Sequence, residues 1–379
     1  MELFVVLKVT WTLLLGVLLT GLATMMGMDM GVGTLLRFVG KTDEERRTAL
    51  NIIGPHWDGN QVWFILGGGA IFAAFPTLYA TSFSVFYVVM ILLLFSMIMR
   101  PVAFEYRSKV DSAHWRGTWD WAFLISGALP MIIYGAAFGN VLQGVGFHYS
   151  WTGQYFQDES FLTHLLNPFA ILCGVLSLSL SIYQGGTMLM LRGEEPIYSR
   201  ARCFAIGGAL VAVVLFIIGG VWVAHINGYV FTSPVDPAMP PSPLNGPTVA
   251  MQKGAWLANY HSYPILWVLP LLGVLGMLGG AAMVAARKPV LGWWLGAVAW
   301  VGVIFTTGAS MFPFLMPSST NPSQSLTAWN ATGSAYNLGW MLFFALLFTP
   351  IIIAYTSWCF YVMRGKVSAA DVAKNTHGY

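Results

Sequence analysis

Nine stretches of mainly apolar residues, each long enough to cross a bilayer as a helix, dominate this sequence. A helix needs about 20 such residues to span the hydrocarbon core. With 57% hydrophobic and only 9% charged residues, the composition excludes a water-soluble domain. We therefore predict an all-α, multi-pass membrane protein. The nine predicted spans are residues 9–30, 58–77, 80–100, 119–142, 163–190, 203–226, 262–286, 290–313 and 335–362.

Basic side chains follow every second predicted helix. Of the 18 Lys and Arg residues, 16 come after helices one, three, five, seven and nine, and only Lys8 and Lys253 fall on the other side. Because Lys and Arg accumulate on the cytoplasmic side, we predict a periplasmic N-terminus and a cytoplasmic C-terminus. The basic residues thus follow membrane orientation and form no patch for nucleic acid. The first span has no basic segment before it and no small-residue cleavage site after it, so we expect it to be retained.

Cysteine and histidine are the residues that could hold a metal or a haem. The three cysteines, Cys173, Cys203 and Cys359, lie far apart within apolar stretches and lack the paired spacing of metal sites. No histidine is deep within a predicted span. We therefore expect no metal site and no haem on this chain, with axial ligation by one of the outer histidines as the alternative. The seven histidines are His56, His114 and His377 on the cytoplasmic side, His148 in an outer loop, and His164, His225 and His261 at outer helix ends.

Four charged side chains are predicted at the cytoplasmic ends of the first four helices: Asp29, Asp58, Arg100 and Asp120. No other charged residue occurs between positions 9 and 36, around Asp29. A carboxylate in an apolar helix is costly unless it is protonated, paired or in contact with internal water. If the four helices form one bundle, these side chains converge. A titratable acid at this depth is what proton uptake needs, and Asp29 is the strongest candidate.

Each of these residues also has a purely structural interpretation. Asp58 precedes an apolar run and could cap the second helix as well as exchange protons. For Asp120 we favour capping of the fourth helix. Arg100 could equally be an orientation-setting arginine, and Trp57 fits, with Trp63, the interfacial aromatic belt.

Ten motifs along the whole chain resemble subunit II of the bacterial cytochrome bd quinol oxidase family. They are GMDMGVG (27–33), DEERR (43–47), HWDGNQVW (56–63), MRPVAFEYRSK (99–109), WRGTWDW (115–121), AFGNVLQGV (137–145), NPF (167–169), PILW (264–267), MFPFLMPSS (311–319) and SLTAWNAT (325–332).

The resemblance implies a subunit of the bacterial inner membrane built from two four-helix bundles, 1–145 and 146–315, followed by an outer loop, a ninth helix and a cytoplasmic tail in 316–379. It implies a pseudo-symmetric partner, subunit I, which carries haems b558, b595 and d and the quinol site. The complex is expected to oxidise quinol and reduce dioxygen to water with cytoplasmic protons. Small single-helix subunits, phospholipid and ubiquinone in an apolar groove of this chain are further expected partners.

The resemblance also assigns roles to individual residues. Asp58, with Trp57 beside it, is expected where protons leave the cytoplasm, and Asp29 is expected as a relay or a structural group. Arg100 and Asp120 match positions linked to function or assembly. The chain departs from the family at two positions, because Met26 and Asn330 stand where the family often has a carboxylate.

A secondary transporter is the rival interpretation. Glycine-rich helices and a weak similarity between the segments starting at Gly16 and Gly174 suggest it. The sequence disfavours it, because no polar cluster falls at the midplane of the predicted spans. A haem-bearing electron-transfer subunit is disfavoured by the placement of the histidines.

Overall fold

The chain is mainly helical in a computed structural model, which describes residues 1–158, 166–244 and 246–368. The predictions for His164, Lys374, His377 and residues 163–165 lie outside the described residues. The described α-helices are α1 (Glu2–Val39), α2 (Asp43–Ile53), α3 (Trp57–Ala74), α4 (Pro76–Val85), α5 (Tyr87–Tyr106), α6 (Ala113–Gln143), α7 (Pro168–Arg192), α8 (Ile197–Val223), α9 (Ala258–Ser262), α10 (Val268–Ala285), α11 (Pro289–Met311) and α12 (Ala335–Val362).

Eight helices within the described part of the chain are long and apolar enough to cross a membrane. They are α1, α5, α6, α7, α8, α10 with the 3₁₀ turn before it, α11 and α12. The second predicted span corresponds to α3, which has 18 residues and carries Asp58, Asn60 and Gln61 in its first turns. These polar residues keep α3 out of that set of eight.

The two residues between the predicted spans 58–77 and 80–100 indicate a tight hairpin, but the connection between α3 and α5 is longer. The backbone breaks at Phe75 (φ −130°, ψ 64°), and Pro76 then begins the ten-residue helix α4. A proline is well tolerated at the first position of a helix, because the N–H it lacks would have no partner there. The hairpin prediction was wrong for this reason, and α5 starts at Tyr87 rather than at residue 80.

Helix α1 lies at the centre of the structure and packs against α3, α6, α7 and α11. Its contact with α7 is backbone to backbone: a Cβ on Gly31 would stand 1.9 Å from the carbonyl oxygen of Ser181. A Cβ on Gly185 would stand 2.5 Å from the carbonyl carbon of Gly31, and the Ser181 hydroxyl donates to the carbonyl of Gly27 at 2.6 Å. Small residues that allow such close approach are characteristic of membrane helix pairs, so Gly31 serves the packing of α1 against α7.

The basic segments meet at one end of the helices, called here the basic end. Helix α2 lies there and is capped by Thr42, whose hydroxyl accepts from the Glu45 amide while the Glu45 carboxylate accepts from the Thr42 amide. Arg200, after α7, bonds that carboxylate at 2.6 Å. Arg202 donates to the carbonyl of Ala285, the last residue of α10, at 2.6 Å. Segments that are far apart in sequence therefore share one end, as the charge alternation predicts.

The opposite end is covered by short strands and loops. Lys8 is fully buried there and donates to the carbonyl oxygens of Pro237 (3.0 Å), Met239 (2.9 Å) and Trp329 (2.6 Å). This ammonium joins α1 to two segments of this end, which is called here the outer end. The strands form three antiparallel pairs: β1 (Phe147–Tyr149) with β2 (Tyr155–Gln157), β3 (Asn227–Phe231) with β4 (Val249–Lys253), and β5 (Phe314–Met316) with β6 (Leu326–Thr327).

Helix α12 is attached mainly at its two ends. At the outer end, Trp11 donates to the carbonyl of Leu338 at 3.0 Å, and the Asn337 amide donates to the carbonyl of Ala73 at 2.8 Å. At the basic end, the Val367 amide donates to the carbonyl of Arg192 at 2.8 Å. Between these attachments most of its large apolar side chains are exposed in the single chain.

Candidate polar site at the basic end

Asp29 is a buried carboxylate in α1, with 1% of the side chain exposed. Its Oδ2 accepts a hydrogen bond of 2.9 Å from the amide Nδ2 of Asn60 in α3. Its Oδ1 is buried and has no hydrogen-bond partner among the described residues. The Arg100 guanidinium is near enough for its charge to act on this carboxylate. Asp29 is thus a buried acid held by Asn60, and its role in proton uptake stays a prediction.

Arg100 is also buried, with 1% exposed, and it points into the protein from α5. Its Nη2 donates to the carbonyl oxygen of Ser126 in α6 at 2.8 Å and contacts the sulfur of Met30. Its Nη1 is buried without a hydrogen-bond partner in the described structure. Of the two interpretations of Arg100, the structure therefore favours the specific partner over the orientation-setting arginine.

Asp58 stands apart from this pair. It is exposed in the first turn of α3, and the N-cap position belongs to His56, which makes no side-chain capping bond. Asp58 is therefore not the cap of the second helix. Asn60 follows two residues later, and side chains at this spacing lie on opposite sides of a helix. The acid facing water and the amide facing Asp29 thus share one helical turn but not one face.

Trp57 and His56 are anchored by aromatic contacts at the start of α3. The Trp57 ring stacks on Phe104 of α5, with centroids 5.0 Å apart. His56 is buried and stacks on Phe360 of α12 at 4.4 Å, and its Nε2 accepts from Nη1 of Arg192 at 2.8 Å. Burial and the Arg192 charge lower the pKa of His56 to about 4, so the ring is neutral.

Asp120 lies in a second, separate cluster and does not cap α6. Helix α6 begins at Ala113, and Ser112 caps it by accepting from the Trp115 amide. Asp120 comes two turns later, where the helix has no free amides to cap. The capping interpretation was therefore wrong. Of the four charged side chains predicted to converge, only Asp29 and Arg100 lie together, whereas Asp58 is exposed and Asp120 belongs to a separate cluster.

The partners of Asp120 are arginines from two other segments. Its Oδ1 is 2.7 Å from Nε of Arg107, and its Oδ2 is 2.7 Å from Nη1 of Arg46. Arg107 also bonds Asp43 at 2.8 Å. This network joins α2, the end of α5 and α6, so it fixes the basic end around the start of α3.

Three participants were not singled out from the sequence. Asn60 could have been, because an amide inside an apolar helix needs a partner. Arg107 looked like one of several basic residues after a span, and nothing in its position along the chain marks it as buried. The Ser126 carbonyl is a backbone group, and only the proline four residues later hints that it is free.

The described residues contain no cluster for a metal ion, and several potential ligands are engaged elsewhere. No group of three His, Cys, Asp or Glu side chains among them could hold a metal ion. His56 is engaged by Arg192 and Phe360, and Nδ1 of His225 faces the carbonyl of Val221. The buried sulfurs of Met28 and Met30 face Trp293 and Arg100. What the site offers is a buried carboxylate, an amide and a guanidinium, which can hold and pass a proton.

Comparison with known proteins gives a consistent picture. Residues 7–363 match the family model described as "Cytochrome bd terminal oxidase subunit II". The chain is 46% identical over 381 residues to the cytochrome bd-I ubiquinol oxidase subunit 2 of Escherichia coli K12, covering 98% of each chain. It is 45% identical over 371 residues to a probable cytochrome oxidase subunit 2 of Haemophilus influenzae, again covering 98% of each. The fold resembles a chain of the bd oxidase from Geobacillus thermodenitrificans (TM-score 0.68, 13% identity, covering 94% of this chain and 99% of that one).

Proposed function

Because the chain belongs to the cytochrome bd terminal oxidase subunit II family, it is a multi-pass inner-membrane subunit of a terminal quinol oxidase, and we propose that it conducts cytoplasmic protons inward through Asp58 and Asp29. The complex takes electrons from quinol and reduces dioxygen to water. The observation that carries the proposal is the buried Asp29 carboxylate, held by Asn60 at the end of the protein where the basic segments meet. A transporter function is not favoured.

Protons reach the site at the first turn of α3. Asp58 is exposed there, so it can exchange protons with water. Asn60 lies on the other face of the same turn and ties this turn to Asp29. Asp29 Oδ1 faces no protein donor or acceptor in the described structure, so it is free to take up a proton. Trp57 packs on Phe104 and fixes the turn between the two acids.

Arg100 and Asp120 have supporting roles in this proposal. Arg100 supplies a positive charge near the buried Asp29 carboxylate. Asp120 holds Arg46 and Arg107, which join α2 and the end of α5 to α6 around the start of α3. The two residues therefore act on the relay through position and assembly.

The redox chemistry is assigned to the partner. Subunit I is proposed to carry haems b558, b595 and d and the quinol site, since the described histidines of this chain are at helix ends or in outer segments. Ubiquinone, phospholipid and small single-helix subunits are proposed to cover apolar faces of this chain, of which the exposed middle of α12 is the largest on one helix.

The proposed topology has nine crossing helices, with a periplasmic N-terminus and a cytoplasmic C-terminus. In this arrangement α3 crosses as the second helix along the chain and joins the eight longer apolar helices. Trp57 at its start stacks on Phe104 at the end of α5, so the chain leaves the basic end along α3 and returns along α5. The proposed divisions are a first bundle in 1–145, a second in 146–315, and the outer loop, last helix and tail in 316–379. The Lys and Arg content of the basic end supports its cytoplasmic position.

Replacing the two acids in the intact complex tests the proposal. Asp58→Asn and Asp29→Asn should each slow quinol-driven oxygen consumption by about tenfold or more, with haem content unchanged, since positioned acids and bases contribute about 10²–10⁴ in rate. Asp111→Asn is the matched control, because Asp111 is 98% exposed and pairs only with Arg116. Full activity of both variants across the pH range would contradict proton conduction, and loss of haem would assign the acids a structural role.

A further inference from the structure

Pro130 interrupts the hydrogen-bond ladder of α6 at one carbonyl. In an α-helix the carbonyl of each residue accepts from the amide N–H four residues later. Residue 130 is a proline inside α6 and has no N–H, so the carbonyl of Ser126 loses its usual donor. Ser126 and Pro130 are both buried, so this oxygen must find a partner within the protein.

The partner is Arg100. Its Nη2 donates to the Ser126 carbonyl at 2.8 Å, from the neighbouring helix α5. The next residue, Gly127, lets α1 approach closely, because a Cβ there would be 2.5 Å from the carbonyl oxygen of Met30. This approach brings the Met30 sulfur against the same guanidinium nitrogen. The guanidinium is therefore fixed between α1 and α6, next to Asp29.

We propose that Pro130 is a positioning residue for Arg100: by withholding an amide N–H, it reserves the Ser126 carbonyl for the guanidinium and keeps a positive charge beside Asp29. A non-proline residue at 130 would bond that carbonyl within α6 and compete with Arg100. The buried guanidinium, whose Nη1 already lacks a described partner, would then lose its one bond to oxygen. The effect on turnover rests on the proposed proton relay, whereas the coupling of Pro130 to Arg100 does not.

The chain offers a matched proline. Pro350 interrupts α12 in the same way, but it is exposed, and the helix around it faces away from the protein. Replacing Pro350 by alanine restores a helical N–H without touching Arg100. It therefore reports what alanine does to a proline-containing membrane helix in general.

The first experiment compares Pro130→Ala and Pro350→Ala in the purified complex. Pro130→Ala should lower quinol-driven oxygen consumption and move its pH profile in the same direction as Arg100→Gln, and the double variant should move it no further. Pro350→Ala should leave the profile unchanged. The inference is overturned if Arg100→Gln changes the pH profile of oxygen consumption but Pro130→Ala leaves it as in the unmodified complex.

The second experiment is a double-mutant cycle on heat stability, which does not depend on proton conduction. Pro130→Ala should raise the midpoint of thermal unfolding in the Arg100→Gln background, where no guanidinium needs the carbonyl. In the protein that keeps Arg100, the rise in unfolding midpoint caused by Pro130→Ala should be smaller by about 2–4 °C or be reversed. The inference is overturned if Pro130→Ala shifts the unfolding midpoint equally in the unmodified protein and in Arg100→Gln. The same comparison is repeated with Arg100→Met in place of Arg100→Gln. If Arg100→Gln leaves the pH profile unchanged but the cycle shows coupling, the relay fails and the positioning role stands.

Discussion

Arg107 and Asp120 form an ion pair in which both side chains are buried: Nε of Arg107 is 2.7 Å from Oδ1 of Asp120, with 1% and 0% of the side chains exposed. Two buried charges of opposite sign are stable only together, because removing one leaves the other desolvated and unpaired. Arg46 occupies the second oxygen of Asp120, so the carboxylate serves two arginines.

Asp120→Asn should therefore destabilise the complex strongly. We expect a loss of about 3–5 kcal/mol, since Arg46 loses its counter-charge and the buried Arg107 keeps only the exposed Asp43. The measurement is the amount of intact, haem-containing complex recovered and its unfolding temperature. Asp111→Asn removes an exposed partner of Arg116 and should change neither. Equal recovery of the two variants would contradict the buried-pair account.

Gly185→Ala should disrupt the contact between α1 and α7. The new Cβ would be 2.5 Å from the backbone of Gly31 and Val32, and backbone atoms cannot rotate away. Overpacking of this kind costs about 1–3 kcal/mol or more, so the unfolding temperature should fall. Gly69→Ala is the control, because nothing lies within 4 Å of its Cβ position. A Gly185→Ala protein as heat-stable as Gly69→Ala would show that these helices separate easily.

His56 should make the stability of the protein depend on pH. Its pKa in the folded state is about 4 against an ordinary 6.5, so the unfolded chain binds a proton more readily than the folded one. The stabilising effect of the neutral ring is fully present above about pH 6.5 and is lost as the pH falls towards 4.

His56→Gln keeps an acceptor for Arg192 but cannot take up the proton. The unfolding temperature of this variant should fall less between pH 7 and pH 5 than that of the unmodified protein. His114→Gln, at an exposed position in the first turn of α6, serves as the control and should follow the unmodified protein. Identical pH curves for His56→Gln and the unmodified protein would exclude His56 as the source.

Lys8→Met should loosen the outer end. The variant keeps the length of the side chain but leaves the carbonyls of Pro237, Met239 and Trp329 without the ammonium. Each buried, unpaired carbonyl costs about 1–3 kcal/mol, so the outer segments should separate from α1. The measurement is the rate of proteolysis within 233–243 in sealed vesicles that expose this end. Lys253→Met, at an exposed strand end, should be cleaved at the unmodified rate.

The sequence predicted the positions of the long helices well, because the bilayer selects for apolar length and little else. It failed at Pro76, where the same residue can end one helix or begin another, and the choice depends on how the flanking helices pack. It identified Asp29 as a buried acid because no other charge is near it in sequence.

The partners of the acids could not be predicted, because facing residues on different helices share no spacing along the chain. Asp120 looked like a cap since it precedes an apolar run, but Ser112 begins the helix two turns earlier. Asp58 was grouped with Asp29, yet Asp58 is exposed and the residue that contacts Asp29 is Asn60. The roles of Asp58, Asp29 and Trp57 in proton uptake stay predictions.

The stacking of His56 on Phe360 joins an early part of the chain to a late one. A ribosome finishes the turn that carries Asp58 long before it makes α12, so the nascent protein inserts its first helices with this ring uncovered. The contacts around the start of α3 are complete only when translation is nearly over. A chain that ends before Phe360 would lack the ring that stacks on His56 beside the start of α3.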